Sequence, residues 1–186
     1  MKEETSQEQR YLLFVGRWHG VTRDQQRAFK AALETAGPGE PVLVITGEQH
    51  GGTKRHPLHA RERKLIVEGL ARSLGRPARV YTATDISDGA VWVSHILGSV
   101  SDASGGATVL TAENTVLVSA NPDVNKHFVK AGFRVVRPQT DGKMPVDLLA
   151  AVASQRPWEK LATRATRRVF KTGDIVARVR RLFDDV

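Results

Sequence analysis

Two runs in this chain constrain its fold more than anything else in it. Residues 12–15 (LLFV) and 41–46 (PVLVIT) are continuously apolar rather than alternating. A strand with that pattern must be buried on both faces, as in a parallel sheet covered on each side by helices. Between them Phe29, Ala32, Leu33 and Ala36 recur at helical spacing, and Gly37-Pro38-Gly39 stops the helix. Strand, helix and strand at this spacing predict a right-handed βαβ unit.

The pattern continues along the chain. A polar loop at 47–55 (GEQHGGTKR) leads to a helix opening near Pro57, with Leu58, Leu65, Ile66, Leu70 and Leu74 expected on its apolar face. Strands are predicted at 79–82 (RVYT), 115–119 (TVLVS) and 133–137 (FRVVR). Helices are predicted at 91–100 and from Asn121-Pro122-Asp123 through Phe128, with a Ser/Gly/Ala linker at 101–107. The C-terminal part reads as helical at 146–152, at 157–170 and from Gly173-Asp174 onward. The expected fold class is α/β, a doubly wound parallel sheet with C-terminal helices, which binds its ligand at the strand C-termini. Residues 1–10 read as a flexible tail, 11–142 as the α/β core and 143–186 as a C-terminal helical segment of the same domain.

Composition narrows the chemistry. With no cysteine, a disulfide framework and a thiolate metal site are both ruled out. The opening MKEETSQEQR lacks the apolar core of a secretory signal, and no apolar run reaches membrane-spanning length, so a cytoplasmic protein is expected. The net charge of +8 points to an anionic partner. Part of it lies at 54–64 (KRHPLHARERK) and part at 164–181, where a solvated helix face is the plain reading. Few aromatics and no RNA-binding sheet signature argue against nucleic acid.

The first turn, GRWHGVTRDQQ, places Gly16, Arg17, His19 and Arg23 at a strand end before a helix N-terminus. Free N–H groups and the helix dipole favour phosphate there. No nucleophile–base pair accompanies it, and Ser94 has no base near it in sequence. His19 reads either as a solvated loop residue or as a phosphate ligand. Asp24 reads either as the helix cap or as a group that orients a water or metal. His50, His56 and His59 could suggest a metal site. The absence of a nearby carboxylate pair and the cations Lys54, Arg55 and Arg61 favour an anion-binding loop, which Gly51-Gly52 would let act as a lid. No metal ligand set is assigned.

Several segments together resemble the archaeal-type nicotinamide-nucleotide adenylyltransferases of the nucleotidylyltransferase superfamily. They are LFVGRW, the Pro57…Glu62-Arg63 helix start, DISDGAVWVSHI, VLVSANPDVNKHFVKAGFRVVRP and RPWEKL, in collinear order over nearly the whole chain. The resemblance implies a Rossmann-like nucleotidylyltransferase fold and a nicotinamide nucleotide or dinucleotide ligand. It also implies direct attack of an acceptor phosphate on the ATP α-phosphate, with Mg2+ if transfer is retained, and self-association into oligomers. Catalysis of that kind is positioning plus charge stabilisation. It implies phosphate contacts from Gly16, Arg17, His19, Thr22, Arg23 and Gln25, with Arg63 near the phosphates and Glu62 as its partner. It implies that Trp92 stacks on the nicotinamide ring, with Val93 and Ser94 near the carboxamide and Asp85 and Ile86 lining the same pocket. Ser119 and Asn121 would meet adenine and ribose. By the residues alone, Trp92 also reads as a core aromatic.

The chain departs from the family at two places. Where the family carries G-R-F-x-P-x-H-x-G-H, the histidine positions are Thr22 and Gln25 and the glycine position is Asp24. Where it carries I-S-x-T-x-x-R, the chain reads KMPVDLL. Both motifs serve the triphosphate. Two readings therefore stand at this point. One is a divergent nucleotide-binding relative acting on a phosphoanhydride by adenylyl transfer or hydrolysis. The other is a non-catalytic nucleotide sensor or partner protein on the same fold.

Overall fold

In the computed structural model, which describes residues 10–183, five parallel strands form one sheet in the order β3-β2-β1-β4-β5. The strands are β1 Tyr11–Gly16, β2 Glu40–Thr46, β3 Arg79–Ala83, β4 Thr115–Val118 and β5 Arg134–Val136. The helices are α1 Arg23–Ala36, α2 Ala60–Ser73, α3 Trp92–Ala103, α4 Pro122–Lys130, α5 Pro145–Ala153, α6 Arg164–Thr172 and α7 Ile175–Phe183. Central β1 pairs with β2 on one side and β4 on the other, so the chain reverses its winding between β1 and β4. The expected doubly wound α/β fold is the fold observed. The predicted tail at 1–10 falls almost wholly outside the described residues.

Alternation along each strand divides the core in two. Leu12, Phe14, Leu43, Ile45, Val116 and Val118 face α1, α2, α5, α6 and α7. Leu13, Val15, Val42, Val44 and Leu117 face α3 and α4. This is why the LLFV and PVLVI runs are apolar at every position. Phe29 on α1 meets Phe14 edge-on at 5.2 Å between ring centroids, joining helix to sheet. Among the described residues no helix is long and apolar enough to cross a membrane.

Three predicted elements are corrected. Residues 157–163 are not helical: Trp158 is buried against Phe170, Ala162 pairs with Thr22 in an isolated antiparallel bridge, and Thr163 caps α6 by accepting from Thr166 N–H. Tertiary contact with the β1–α1 loop overrides the local helical pattern there. The buried face of α2 carries Arg63, Ile66, Val67, Leu70 and Ala71; Leu65 is exposed, and Leu58 is buried ahead of the helix. The linker expected at 101–107 begins later, because α3 runs on to Ala103.

Candidate functional site

A cavity of about 990 Å3 opens at the C-terminal ends of β1 and β4, where the winding reverses. In open α/β sheets this is where ligands bind. The β1 exit contributes Gly16, Arg17, Trp18 and His19; the β4 exit contributes Ser119 and Asn121. Lys54 and Arg55 reach it from the loop after β2. Met144, Leu149 and Ala153 give it an apolar wall on the α5 side. Its cations and its apolar wall suit a ligand with both anionic and flat apolar parts. Among the described residues no carboxylate lines the cavity.

The β1 exit is bent sharply. Trp18 adopts φ +59, a left-handed conformation uncommon for a non-glycine residue. Its ring is buried against Phe29, and its Nε1–H donates to Val44 O at 2.9 Å. Those contacts hold the strained backbone in place. Gly20 follows at φ +139, where a Cβ would lie 2.8 Å from Leu148 Cδ2, so a side chain would strain the backbone and force Leu148 to shift.

Arg63 organises the loops from beneath. It is fully buried, and its guanidinium donates to the carbonyls of Arg17 (3.1 Å), Thr46 (2.7 Å), Gly47 (2.7 Å) and His50 (3.1 Å). The expected Glu62 pairing is corrected: Glu62 turns the other way and accepts two hydrogen bonds from Arg178 of α7, at 2.8 and 2.9 Å. Arg63 thus fixes the walls of the site.

His19 is buried at 8 % exposure, which removes the solvated-loop reading. Burial, then the charges of Arg63, His56 and Arg17, lower its pKa to about 3. It is neutral at ordinary pH and can offer a hydrogen bond but no positive charge. Its Nε2 lies 3.4 Å from His56 Nδ1, and its own Nδ1 is buried without a partner. Burial, followed by Arg17, His50 and Arg63, also holds His56 below the usual imidazole range, against Asp85.

The helix N-termini are closed. Thr22 is fully buried and caps α1: its hydroxyl accepts from Gln25 N–H at 3.0 Å and donates to Lys143 O. Arg23 N–H donates to Leu161 O at 2.8 Å, and its side chain turns to Ala162 O rather than lining the cavity. The N–H groups of Arg23 and Gln25 at the start of α1 are therefore already used. Asp24 is neither the cap nor a group facing the cavity. It accepts from Lys143 N–H at 2.7 Å and pairs with Arg27. At α5, Asp147 accepts from Met144 N–H at 2.8 Å. Of the first-turn residues expected at phosphate, Gly16, Arg17, His19 and Gln25 line the cavity while Thr22 and Arg23 do not, and Gln25 Oε1 is buried there without a partner.

Trp92 stands elsewhere on the same edge, at the start of α3. It is half-buried against His127 (5.6 Å) and Phe128 (6.0 Å) and does not line the cavity. Val93 is a core residue, and Ser94 is exposed with its hydroxyl donating to Val91 O. Ser119 is buried and accepts from Asn121 N–H at 3.1 Å, while the Asn121 side chain caps α4. Asp85 comes together with His50 and His56; His59 is apart, at the N-cap of α2 against Gly51.

Sequence reasoning expected Lys54 and Arg55 in an anion-binding loop, and both line the cavity, but it did not find Trp18 or the apolar α5 wall. Only the bend at Trp18 and the return of the C-terminal helices bring them together.

No protein-family model matches the chain. A curated nicotinamide-nucleotide adenylyltransferase from Methanospirillum hungatei is 25% identical over 176 residues, covering 93% of this chain and 94% of that protein. Another from Methanothrix thermoacetophila is 33% identical over 99 residues, covering 53% of this chain and 52% of that one. Among solved structures, a bifunctional NMN adenylyltransferase/ADP ribose pyrophosphatase from Francisella tularensis superposes with a TM-score of 0.72 at 10% identity, covering 92% of this chain and 52% of that chain. This chain thus spans about half the length of that bifunctional protein. A NadR protein in complex with NAD and AMP-PNP superposes with a TM-score of 0.57 at 13% identity, covering 87% of this chain and 47% of that chain. At these identities the structural likenesses establish the fold.

Proposed function

We propose that this chain, a relative of the archaeal nicotinamide-nucleotide adenylyltransferases on the same nucleotidylyltransferase fold, binds a nicotinamide nucleotide or dinucleotide and acts on its phosphoanhydride. One observation carries this reading: the cavity lies at the β1/β4 reversal and gathers Arg17, Lys54 and Arg55 beside an apolar wall. The three cations neutralise phosphate in place of the family's histidines. The unpartnered Gln25 Oε1 accepts from the base or ribose. Ser119 and Asn121 line the β4 side, and Trp92, with Ser94, offers the pyridinium a face outside the cavity on the same sheet edge.

In adenylyl transfer an oxygen of the mononucleotide phosphate attacks the ATP α-phosphorus. The bond from that phosphorus to the β-bridging oxygen breaks, and pyrophosphate leaves. Arg17, Lys54 and Arg55 stabilise charge on the transferring group, and neutral His19 adds a hydrogen bond. Among the described residues no carboxylate lines the cavity, so any Mg2+ would arrive on the triphosphate. In the hydrolytic counterpart, water attacks the adenylyl phosphorus of the dinucleotide, the bond from that phosphorus to the bridging oxygen breaks, and the nicotinamide mononucleotide leaves as AMP forms.

A second reading, a non-catalytic nucleotide sensor, is favoured by one feature. The N-termini of α1 and α5, which would meet a triphosphate, are occupied by Thr22, Leu161 O, Asp24 and Asp147. Calorimetry with NMN, NAD and ATP tests binding, and failure of both nicotinamide ligands to bind at millimolar concentration refutes the proposal. NAD formed from NMN, ATP and Mg2+ supports transfer, and AMP released from NAD supports hydrolysis. Binding without either product supports the sensor.

A further inference from the structure

His50, His56 and Asp85 meet where the exits of the neighbouring strands β2 and β3 lie side by side. One nitrogen of each imidazole and one carboxylate oxygen all lie within 4.8 Å of one another. We infer that these three residues bind one divalent transition-metal ion of the zinc type, leaving a coordination position open. This inference does not rest on the nucleotide reading, although His19 lies at both sites.

The donors come from separate points in the chain, and backbone contacts hold them together. Gln49 Nε2 donates to Asp85 O and Asp85 N–H donates to Gln49 Oε1, each at 3.0 Å. This reciprocal pair ties the loop after β2 to the loop after β3. Arg63 fixes the same loop through Gly47 O and His50 O. The backbones that carry His50 and Asp85 are therefore held near each other before any ion arrives.

The second contact of His56 fits a metal-ligating histidine. Its Nδ1 faces His19 Nε2, which leaves Nε2 to the ion. Ligating imidazoles characteristically hydrogen-bond through the other nitrogen, which fixes tautomer and ring orientation. Buried His19 thus serves as a positioning residue.

Chemistry selects the ion. Two imidazoles and one carboxylate form a donor set used at open zinc sites. Mg2+ and Ca2+ depend on several oxygen ligands and on net negative charge. Here there is one carboxylate, and the buried Arg63 guanidinium stands close enough to offset it. Only an ion that gains from nitrogen coordination fits. Lys54, Arg55 and Arg61, which at the level of sequence argue against a metal, are exposed and screened by solvent. Tetrahedral bonds of about 2.1 Å set donors roughly 3.4 Å apart. Exposed His50, followed by Gly51-Gly52, is the ligand that closes the difference.

The test uses the full chain, stripped with chelator and carrying no histidine tag. Zn2+ calorimetry should give one equivalent bound, and Co2+ should give the visible absorption of a low-coordinate site. His50→Ala and Asp85→Asn should each weaken Zn2+ by about 100-fold, and His19→Phe by about 10–100-fold. His59→Ala should leave Zn2+ binding unchanged. Circular dichroism confirms that each variant is folded. Absence of stoichiometric Zn2+ uptake by the unmodified chain overturns the inference. So does undiminished uptake by His50→Ala, equal loss in His59→Ala, or Mg2+ bound as tightly as Zn2+.

Discussion

Replacing Arg63 with Met should be the most damaging single change near the site that keeps side-chain bulk. The guanidinium makes four hydrogen bonds to carbonyls of the β1 exit, the β2 exit and the following loop. Hydrogen bonds from an ionised donor contribute roughly 1.5–3 kcal/mol each, or about 6–12 kcal/mol together. Removing a buried charge also recovers several kcal/mol of desolvation. The remainder is a loss of about 3–5 kcal/mol, because carbonyls that were bonded are left without donors. For a chain of this size each kcal/mol lowers Tm by about 2–4 °C, so a drop of about 6–20 °C is expected. Urea unfolding followed by tryptophan fluorescence reads the effect. Arg63→Lys should fall between, since one ammonium keeps the charge but cannot reproduce the planar fork. A loss below about 1 kcal/mol for Arg63→Met, at unchanged denaturant slope, would refute the assignment of Arg63 as the brace of these loops.

Further outcomes follow from other contacts. Burial alone would raise the Glu62 carboxyl, but the Arg178 hydrogen bonds, the His59 N–H and the Arg178 charge outweigh it and hold the pKa below the usual value. Its contribution to stability is therefore present above the ordinary carboxylate range and lost as pH falls through the depressed folded value. Glu62→Gln should be destabilised at neutral pH, with a gap from the parent that closes on acidification; a gap independent of pH in urea titrations refutes this. Gly69→Ala would place a Cβ 2.2 Å from Ala165 Cβ, where α2 and α6 pack. Overpacking of about 1–3 kcal/mol should exceed the roughly 1 kcal/mol gained in helix propensity, and Ala165→Gly in the same chain should restore Tm. Trp92→Ala should weaken NMN binding by about 2–30-fold, the equivalent of a cation–π contact of about 0.5–2 kcal/mol. Unchanged affinity in calorimetry would assign Trp92 to packing against His127 and Phe128.

Much of the fold was legible because it is written in local periodicity. Continuous apolar runs mark the central strands, and Phe29, Ala32, Leu33 and Ala36, expected on one helix face, are all buried. The failures have a common cause. Residues 157–170 carry a helical pattern, yet 157–163 are pulled out of it by Thr22 and Val21, distant in sequence. Glu62 and Arg63 are neighbours in the chain, but a helix sends successive side chains in different directions. One meets α7 and the other the strand exits.

The candidate site divides in the same way. Residue types alone placed Gly16, Arg17 and the first turn at the business end of the sheet, because a strand, a glycine and a helix start have few other arrangements. The resemblance to the adenylyltransferases added that Thr22 and Gln25 stand where that family carries histidine. What the chain order could not determine was occupancy. The helix N-terminus that opens the chain is sealed by Thr22 and by Leu161 O, and Asp85 stands with His50 and His56 from another loop. Hydrogen-bond donors and acceptors are spent on whichever partner the fold brings within about 3 Å. The sequence by itself determined the architecture and the kinds of group at its edge; only the tertiary structure decided which of those groups remain free to meet a ligand.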